Sequence, residues 1–369
     1  MPTQPTKTDA DRLRDAEKII SAKNRELVDA KRTIRSLERE EDTAEKIRKE
    51  IYDLAEHTPE PPKWLSGHGI KNGERGGPVL MVSDIHYGEV IDPDEVGNVN
   101  EYNHKIAKAR LKRLTDTTID LCQNHMGRSN VNYPGMVMCL GGDLIGGDIH
   151  EELSWTNDRT PHQSVDDLTD ILAGMIEAFA SKFGRVFIPA VVGNHGRSTF
   201  KGHYKQRAFT NFDWGIACNL ERCFRKDKRI QFQIPSGADA RFDVFGTRFL
   251  LTHGDTLGVR GGDGIIGLLG PLARGRLKVG QSEAAIGRDF DVLLCGHYHQ
   301  LTWLSNLICN GCVKGYDEYA RLALRAPYTP PSQALFFVHP EHGLTARWPV
   351  FLEPKKVART ETVWASWQK

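Results

Sequence analysis

LLTHGDTLG at residues 250–258 and VLLCGHYHQ at residues 292–300 decide how this chain is read. Each is a short apolar run ending in a glycine-flanked polar cluster, the pattern of a buried strand that delivers side chains from its end. His253, His297 and His299 are therefore expected at strand ends. The same pattern recurs upstream, where VLMVSDIHYGE carries Asp84 and His86, VMCLGGDLIGG carries Asp143, and FIPAVVGNHGR carries Asn194 and His195. Five strand ends converging on carboxylates, imidazoles and one amide predict a metal site. Those mixed donors suit borderline divalent ions such as Mn, Fe or Zn better than Mg or Ca.

Between these motifs, apolar residues spaced for an amphipathic helix occupy residues 105–125 and 165–183, and a further helix is expected around 214–224. The resulting β-α-β-α-β rhythm predicts parallel strands with the polar clusters in loops at their carboxyl ends. Short strands QFQIPS, ARFDVFG and TRFLLTHGD are expected to follow one another as hairpins, and residues 258–288 form a Gly-rich, basic insertion. Strands near LTWLSN, LICNGC, ALFFVHP and LTARWPVFLE close the domain.

Upstream, residues 9–56 contain neither Gly nor Pro and are densely charged with both signs mixed. Leu13, Ala16, Ile20, Leu27, Ala30, Ile34 and Leu37 draw a narrow apolar seam that resumes, offset, at Ala44, Ile47, Ile51 and Leu54. That seam predicts a long helix over residues 1–56 that forms a coiled coil and joins copies of the chain into a homo-oligomer. Residues 57–77 are dense in Pro and Gly and read as a linker, leaving residues 78–369 as the catalytic domain.

At 369 residues the chain has ample material for a large core. Its formal net charge of +1 gives no argument for a polyanionic partner, so any nucleic-acid surface must come from local clustering. No apolar run reaches the ~18–20 residues that span a bilayer, and no signal-peptide core stands at the polar N-terminus. The seven cysteines are odd in number and scattered, which suits a reducing compartment. A cytoplasmic enzyme without a membrane partner is the expectation.

The motifs DIH, GGD, GNH, THGD and GHYH, in this order, resemble the blocks of the calcineurin-like metallophosphoesterase superfamily. The resemblance implies an α/β chain folded as a four-layer α/β/β/α sandwich with two divalent ions between the sheets, Mn first among them. It implies that Asp84, His86 and His299 hold the first ion, that Asn194, His253 and His297 hold the second, and that Asp143 bridges. His195 would face the substrate as general acid. Two ions roughly 3.5–4 Å apart can share a hydroxide and clamp both oxygens of an in-line phosphoryl displacement. A histidine suits proton delivery because imidazole titrates near neutral pH.

Two departures from the common family pattern bear on substrate. Where an acid often follows GNH, this chain has Gly196 and Arg197, and the Arg197 fork could bind a phosphate oxygen. The acid often found three residues after the second motif's Asp is missing, and His150 further on could line the pocket. Lys201, His203, Lys205 and Arg207 follow, interleaved with Phe200 and Tyr204, while Arg260, Arg274, Arg276, Lys278 and Arg288 lie on the insertion. Basic loops suit a polyanionic backbone, and exposed aromatics can stack on unpaired bases. Nucleic acid, DNA above all, is the expected partner, as in the nuclease and phage-type phosphoesterase branch that the arrangement resembles. Cyclic-nucleotide or small-substrate phosphodiesterases and protein phosphatases share the same motifs. A non-catalytic scaffold is the remaining alternative, but the full complement of expected ligands speaks against it.

Overall fold

Alternation along the strand β1 (Gly77–Val82) sets the architecture. Val79 and Met81 face one apolar cluster, Leu80 and Val82 another, and all four are fully buried. A strand buried on both faces needs a covering layer on each side. The structure, a computed structural model, describes residues 76–125, 133–257 and 267–354, together with Lys23. The chain separates into two units, Met1–His57 and Thr58–Lys369, and all five motifs belong to the second. Apart from Lys23, the coiled coil expected over residues 1–56 lies outside the described residues, as do most of the linker and Arg260.

Around β1 the first sheet gathers β2 (Met136–Leu140), β3 (Val186–Pro189), β4 (Ile230–Gln233), β10 (Ser332–His339) and β11 (Gly343–Phe351), in the order β11-β10-β1-β2-β3-β4. From β1 to β4 the pairing is parallel, and β10 joins β1 antiparallel. The second sheet combines β5 (Ala240–Val244), β6 (Thr247–Leu251), β7 (Val292–Cys295), β8 (Thr302–Trp303) and β9 (Leu307–Cys309), in the order β5-β6-β7-β9-β8. Its centre, β6-β7-β9, is parallel and both edges are antiparallel hairpins. Val79, Met81 and Phe187 from one sheet meet Phe242, Phe249 and Leu294 from the other, which makes the inter-sheet core.

Helices cover the outer faces. On the first sheet lie α1 (His104–Asp120), α3 (Pro161–Phe183) and α4 (Phe212–Phe224), packing Leu111, Leu172 and Ile216 against Leu80, Met138 and Ile188. A short helix α2 (Leu153–Thr156) precedes α3. On the second sheet α5 (Leu269–Ala284) packs Leu272 onto Leu250, Leu293 and Leu307. The four layers expected from the resemblance are thus present. Among the described residues no helix is long and apolar enough to cross a membrane.

Local signals explain the boundaries. The Asn103 side chain caps α1 by accepting from the Lys105 and Ile106 amides, both at 3.0 Å. α3 starts at Pro161, ahead of the expected Val165, because Thr160 and Gln163 form a capping box with Pro161 in the first turn. Two expectations change. β4 is not a hairpin partner of β5, because the α4 crossover returns it to β3 in parallel. The Gly-rich insertion contains α5, whose Gly270, Gly275 and Gly280 dilute a helical pattern that Leu268, Leu272 and Val279 nevertheless carry into the core. Cys309 and Cys312 are buried free thiols, and burial pushes the Cys312 thiol up to about 12.

Candidate metal centre

The five polar clusters stand just past the carboxyl ends of β1, β2, β3, β6 and β7. Parallel pairing continues beyond the strands and fixes the loops to one another. The Asp84 amide donates to the Gly142 carbonyl at 3.0 Å and the His86 amide to the Asp143 carbonyl at 3.1 Å. On the second sheet the Gly296 amide donates to the His253 carbonyl at 2.7 Å. Two bonds stitch the sheets together, from the His297 amide to Asp84 Oδ1 at 2.8 Å and from His253 Nδ1 to the Gly141 carbonyl at 2.9 Å.

The backbone is strained where the ligands leave it. Asp84, His86, Asp143, His297 and His299 all have φ between 50° and 70°. Non-glycine residues rarely adopt that region, and it persists where surrounding contacts over-determine it. The motif glycines serve the same carboxylates. A Cβ on Gly193 would lie 2.0 Å from Asp143 Oδ1, and one on Gly296 would lie 2.2 Å from Asp84 Oδ2. Glycine in GNH and GHYH is therefore required by carboxylates that approach the backbone from other strands.

Two three-residue sets bring their donor atoms within 4.8 Å of one another, Asp84 with His86 and His299, and Asp143 with His253 and His297. A third set, His86, Asp143 and His195, links them. His86 Nε2 lies 3.0 Å from His299 Nε2, and His253 Nε2 lies 2.9 Å from Asp143 Oδ2. The carbonyl on His253 Nδ1 fixes the proton there and leaves Nε2 as a ligand atom. Asn194 Oδ1 is buried without a hydrogen-bond partner, and no hydrogen bond of good angle closes on His253 Nε2 despite Asp143 beside it. Buried lone-pair atoms left unsatisfied in this way fit a cation, since unpaired burial is costly.

Charge supports the same reading. Burial, helped by Lys314, holds the His86 imidazole down at about 4, and burial with His253 does the same for His297, so both offer lone pairs at neutral pH. Burial would also depress His253, but the Asp143 carboxylate overcomes it and raises the imidazole to about 10. Asp143 is correspondingly held well below the usual carboxylate range. A divalent cation between them would replace that proton, so ion binding should release it.

Asp84, His86, Asp143 and His253 form the closed floor, while Asn194, His195, His297 and His299 are half-buried at the opening. His195 donates from Nδ1 to the Gly146 carbonyl at 3.0 Å, leaving Nε2 free. His150 is exposed, with its ring centroid 5.6 Å from that of His195.

The arginines near His195 are engaged within the protein. Arg197 donates to the Asn194, Thr199 and Phe200 carbonyls at 2.8, 3.0 and 3.3 Å, so its fork braces its own loop. Arg207 makes a two-pronged ion pair with Asp255 at 2.8 and 2.9 Å. Lys201 and Lys205 are exposed. On α5, Arg276 stacks over Phe290 at 4.1 Å.

Supporting residues escaped the motif reading. Asp213 accepts from the Asp143, Leu144 and Gly193 amides at 2.9, 3.1 and 2.9 Å, and burial beside Asp143 raises its own carboxyl to about 6. Ser83 donates to Asp84 and is itself held by Asn310, which also donates to Gln333. In the sequence Asp213 stands just before the helix expected around 214–224, and the structure draws it into the first turn.

No family model matches the chain, and no curated protein matches it. Among solved structures it is similar to a protein assigned as a 5'-nucleotidase from Staphylococcus aureus, in complex with alpha-ketoglutarate, at 12% identity and a TM-score of 0.32 over 78% of this chain and 56% of that one. It is also similar to the sulfate thiohydrolase SoxB of Thermus thermophilus, in complex with glycerol, at 11% identity and a TM-score of 0.30 over 76% of this chain and 58% of that one. The chain spans little more than half the length of either. Likeness at that level carries no argument about activity, which has to rest on the site.

Proposed function

We propose that this chain is a metal-dependent hydrolase of phosphodiester bonds. The observation that carries the reading is the pair of Asp/His sets, Asp84–His86–His299 and Asp143–His253–His297, whose donors converge around Asp143 with His195 beside them. Divalent ions held there, with Mn favoured and Fe or Zn as alternatives, would supply Lewis acidity toward phosphoryl oxygens and lower the pKa of a water molecule. Asn194 would complete the second set. His195, with its Nδ1 proton fixed on the Gly146 carbonyl, has Nε2 available to hand a proton to the departing oxygen.

Nucleic acid is the substrate class we favour, DNA first. Lys201 and Lys205 are exposed in the loop that leaves His195, and Phe200 and Tyr204 beside them are 78% and 97% exposed. Cations of that kind can follow a phosphate backbone, and such aromatics can stack on unpaired bases. A second reading, a small-substrate phosphodiesterase, is favoured by the open cleft at Asn194, which Arg197, His203, Arg207 and Asp255 also line.

The test is a screen of the Mn-loaded protein against single- and double-stranded DNA, RNA, cyclic nucleotides, a phosphopeptide and a chromogenic diester and monoester pair. Turnover of DNA with a salt-dependent KM supports the nuclease reading. A flat salt profile with turnover of a cyclic nucleotide moves the assignment to the second reading. Absence of turnover by protein with ions bound overturns both.

A further inference from the structure

Resting on that reading, we propose that Glu89 is a positioning residue shared by His86 and His195. One carboxylate oxygen, Glu89 Oε1, lies 2.8 Å from His86 Nδ1 and 3.7 Å from His195 Nδ1, where it acts through charge because the Gly146 carbonyl takes the His195 Nδ1 proton. The two rings stand edge to face with centroids 4.5 Å apart, so the oxygen addresses the rear of both. No hydrogen bond of good angle closes on Oε1 or on His86 Nδ1, although both are buried. A buried carboxylate oxygen left between two imidazoles is an expensive arrangement unless it orients them.

The other oxygen is anchored. Glu89 Oε2 accepts from Lys314 Nζ at 2.7 Å, and the same ammonium lies 2.8 Å from Asp317 Oδ2. Lys314 and Glu89 are each 6% exposed. A buried pair held this closely fixes the carboxylate in one place. The loop after β2 leaves room for it, since a Cβ on Gly146 would lie 2.5 Å from Glu89 Cγ. The position after His195 cannot carry a side chain here. A Cβ on Gly196 would come within 2.5 Å of Asn211 Oδ1 and 2.8 Å of Asp213 Oδ1. The carboxylate oxygen beside His195 Nδ1 is that of Glu89, from the loop after β1.

The experiment uses the full chain with Glu89→Gln, which keeps the shape and leaves Lys314 its Asp317 partner. Mn affinity is read by calorimetric titration, kcat and KM on the chromogenic diester, and both again in a His195→Ala background. Mn binding should weaken by about 10–100-fold, the usual cost of losing a group that orients a ligand. The kcat should fall more than KM changes, and the fall should shrink in the His195→Ala background, because the two residues act through one ring. Should the amide prevent folding, Glu89→Asp, which keeps the charge but withdraws it by a methylene, carries the same readouts with smaller losses. Affinity and kcat equal to those of the unaltered chain overturn the proposal, as does a kcat loss that is full-sized without His195 and leaves Mn binding intact. Failure of the unaltered chain to hydrolyse any diester overturns the phosphodiesterase reading alone, because the affinity comparison still tests Glu89 through His86.

Discussion

The strand-end cluster and the loop of residues 197–210 meet at His195 and are built on opposite terms. In the cluster, Asp84, His86, Asp143 and His253 are buried, five ligand candidates sit in left-handed backbone, and amides and carbonyls from other strands hold the acids and rings in place. In the loop, Arg197 braces local carbonyls, Arg207 is tied to Asp255, and Lys201, Lys205, Phe200 and Tyr204 lie at the surface. The candidate ligands thus sit on a buried, strand-anchored framework and the exposed cations and aromatics on a surface loop, the division expected when loops carry recognition on a fixed scaffold. The difference also shows that a count of basic residues overstates a binding surface, because some cations are engaged within the protein.

The largest effect should come from Asp143→Asn. Asp143 belongs to two of the donor sets, so the amide should lower metal content and bring diester hydrolysis to background. Metal analysis and steady-state rates check this, and full activity in protein stripped by chelation would break the picture of a metal-built floor.

His195→Ala should keep the ions and lose about 10²–10⁴-fold in rate. The loss should be smaller for an activated nitrophenolate ester, whose leaving group needs no proton. Equal losses on that ester and on DNA would remove His195 from the acid role and leave the cluster intact.

Gly296→Ala tests whether the cluster is as tightly determined as its packing suggests. The new Cβ would press on Asp84 Oδ2, and forcing a methyl group into such a site costs about 1–3 kcal/mol. Thermal unfolding should show the loss together with weaker Mn binding. An unchanged melting temperature would mean that the loops can yield.

The smallest effect belongs to the loop. Replacing Lys201 and Lys205 together by Ala should raise KM for DNA several-fold and leave kcat on a small diester nearly unchanged. The log–log salt dependence should flatten by roughly 0.7–0.9 for each phosphate that is no longer neutralised. Arg207→Ala should instead lower stability, since it strands Asp255. A salt slope that responds to Arg207 and not to the lysines would reverse the assignment of the two groups.

Much of this was legible in the chain itself. Short continuous apolar runs ending in Asp, Asn and His marked the strands and the polar side chains at their ends, because strand burial and donor chemistry are local properties of residue type and spacing. The glycines of GNH and GHYH were visible as letters, but the carboxylates they make room for come from other strands. Tertiary structure alone decided that Glu89 would lie against Lys314, 225 residues away, that Asp213 would gather three amides behind Asp143, and that Arg197 and Arg207 would be engaged. The physical reason is that spacing specifies which face a side chain takes and which atoms it offers. Which partner a buried charge meets depends on how distant strands and loops close around it.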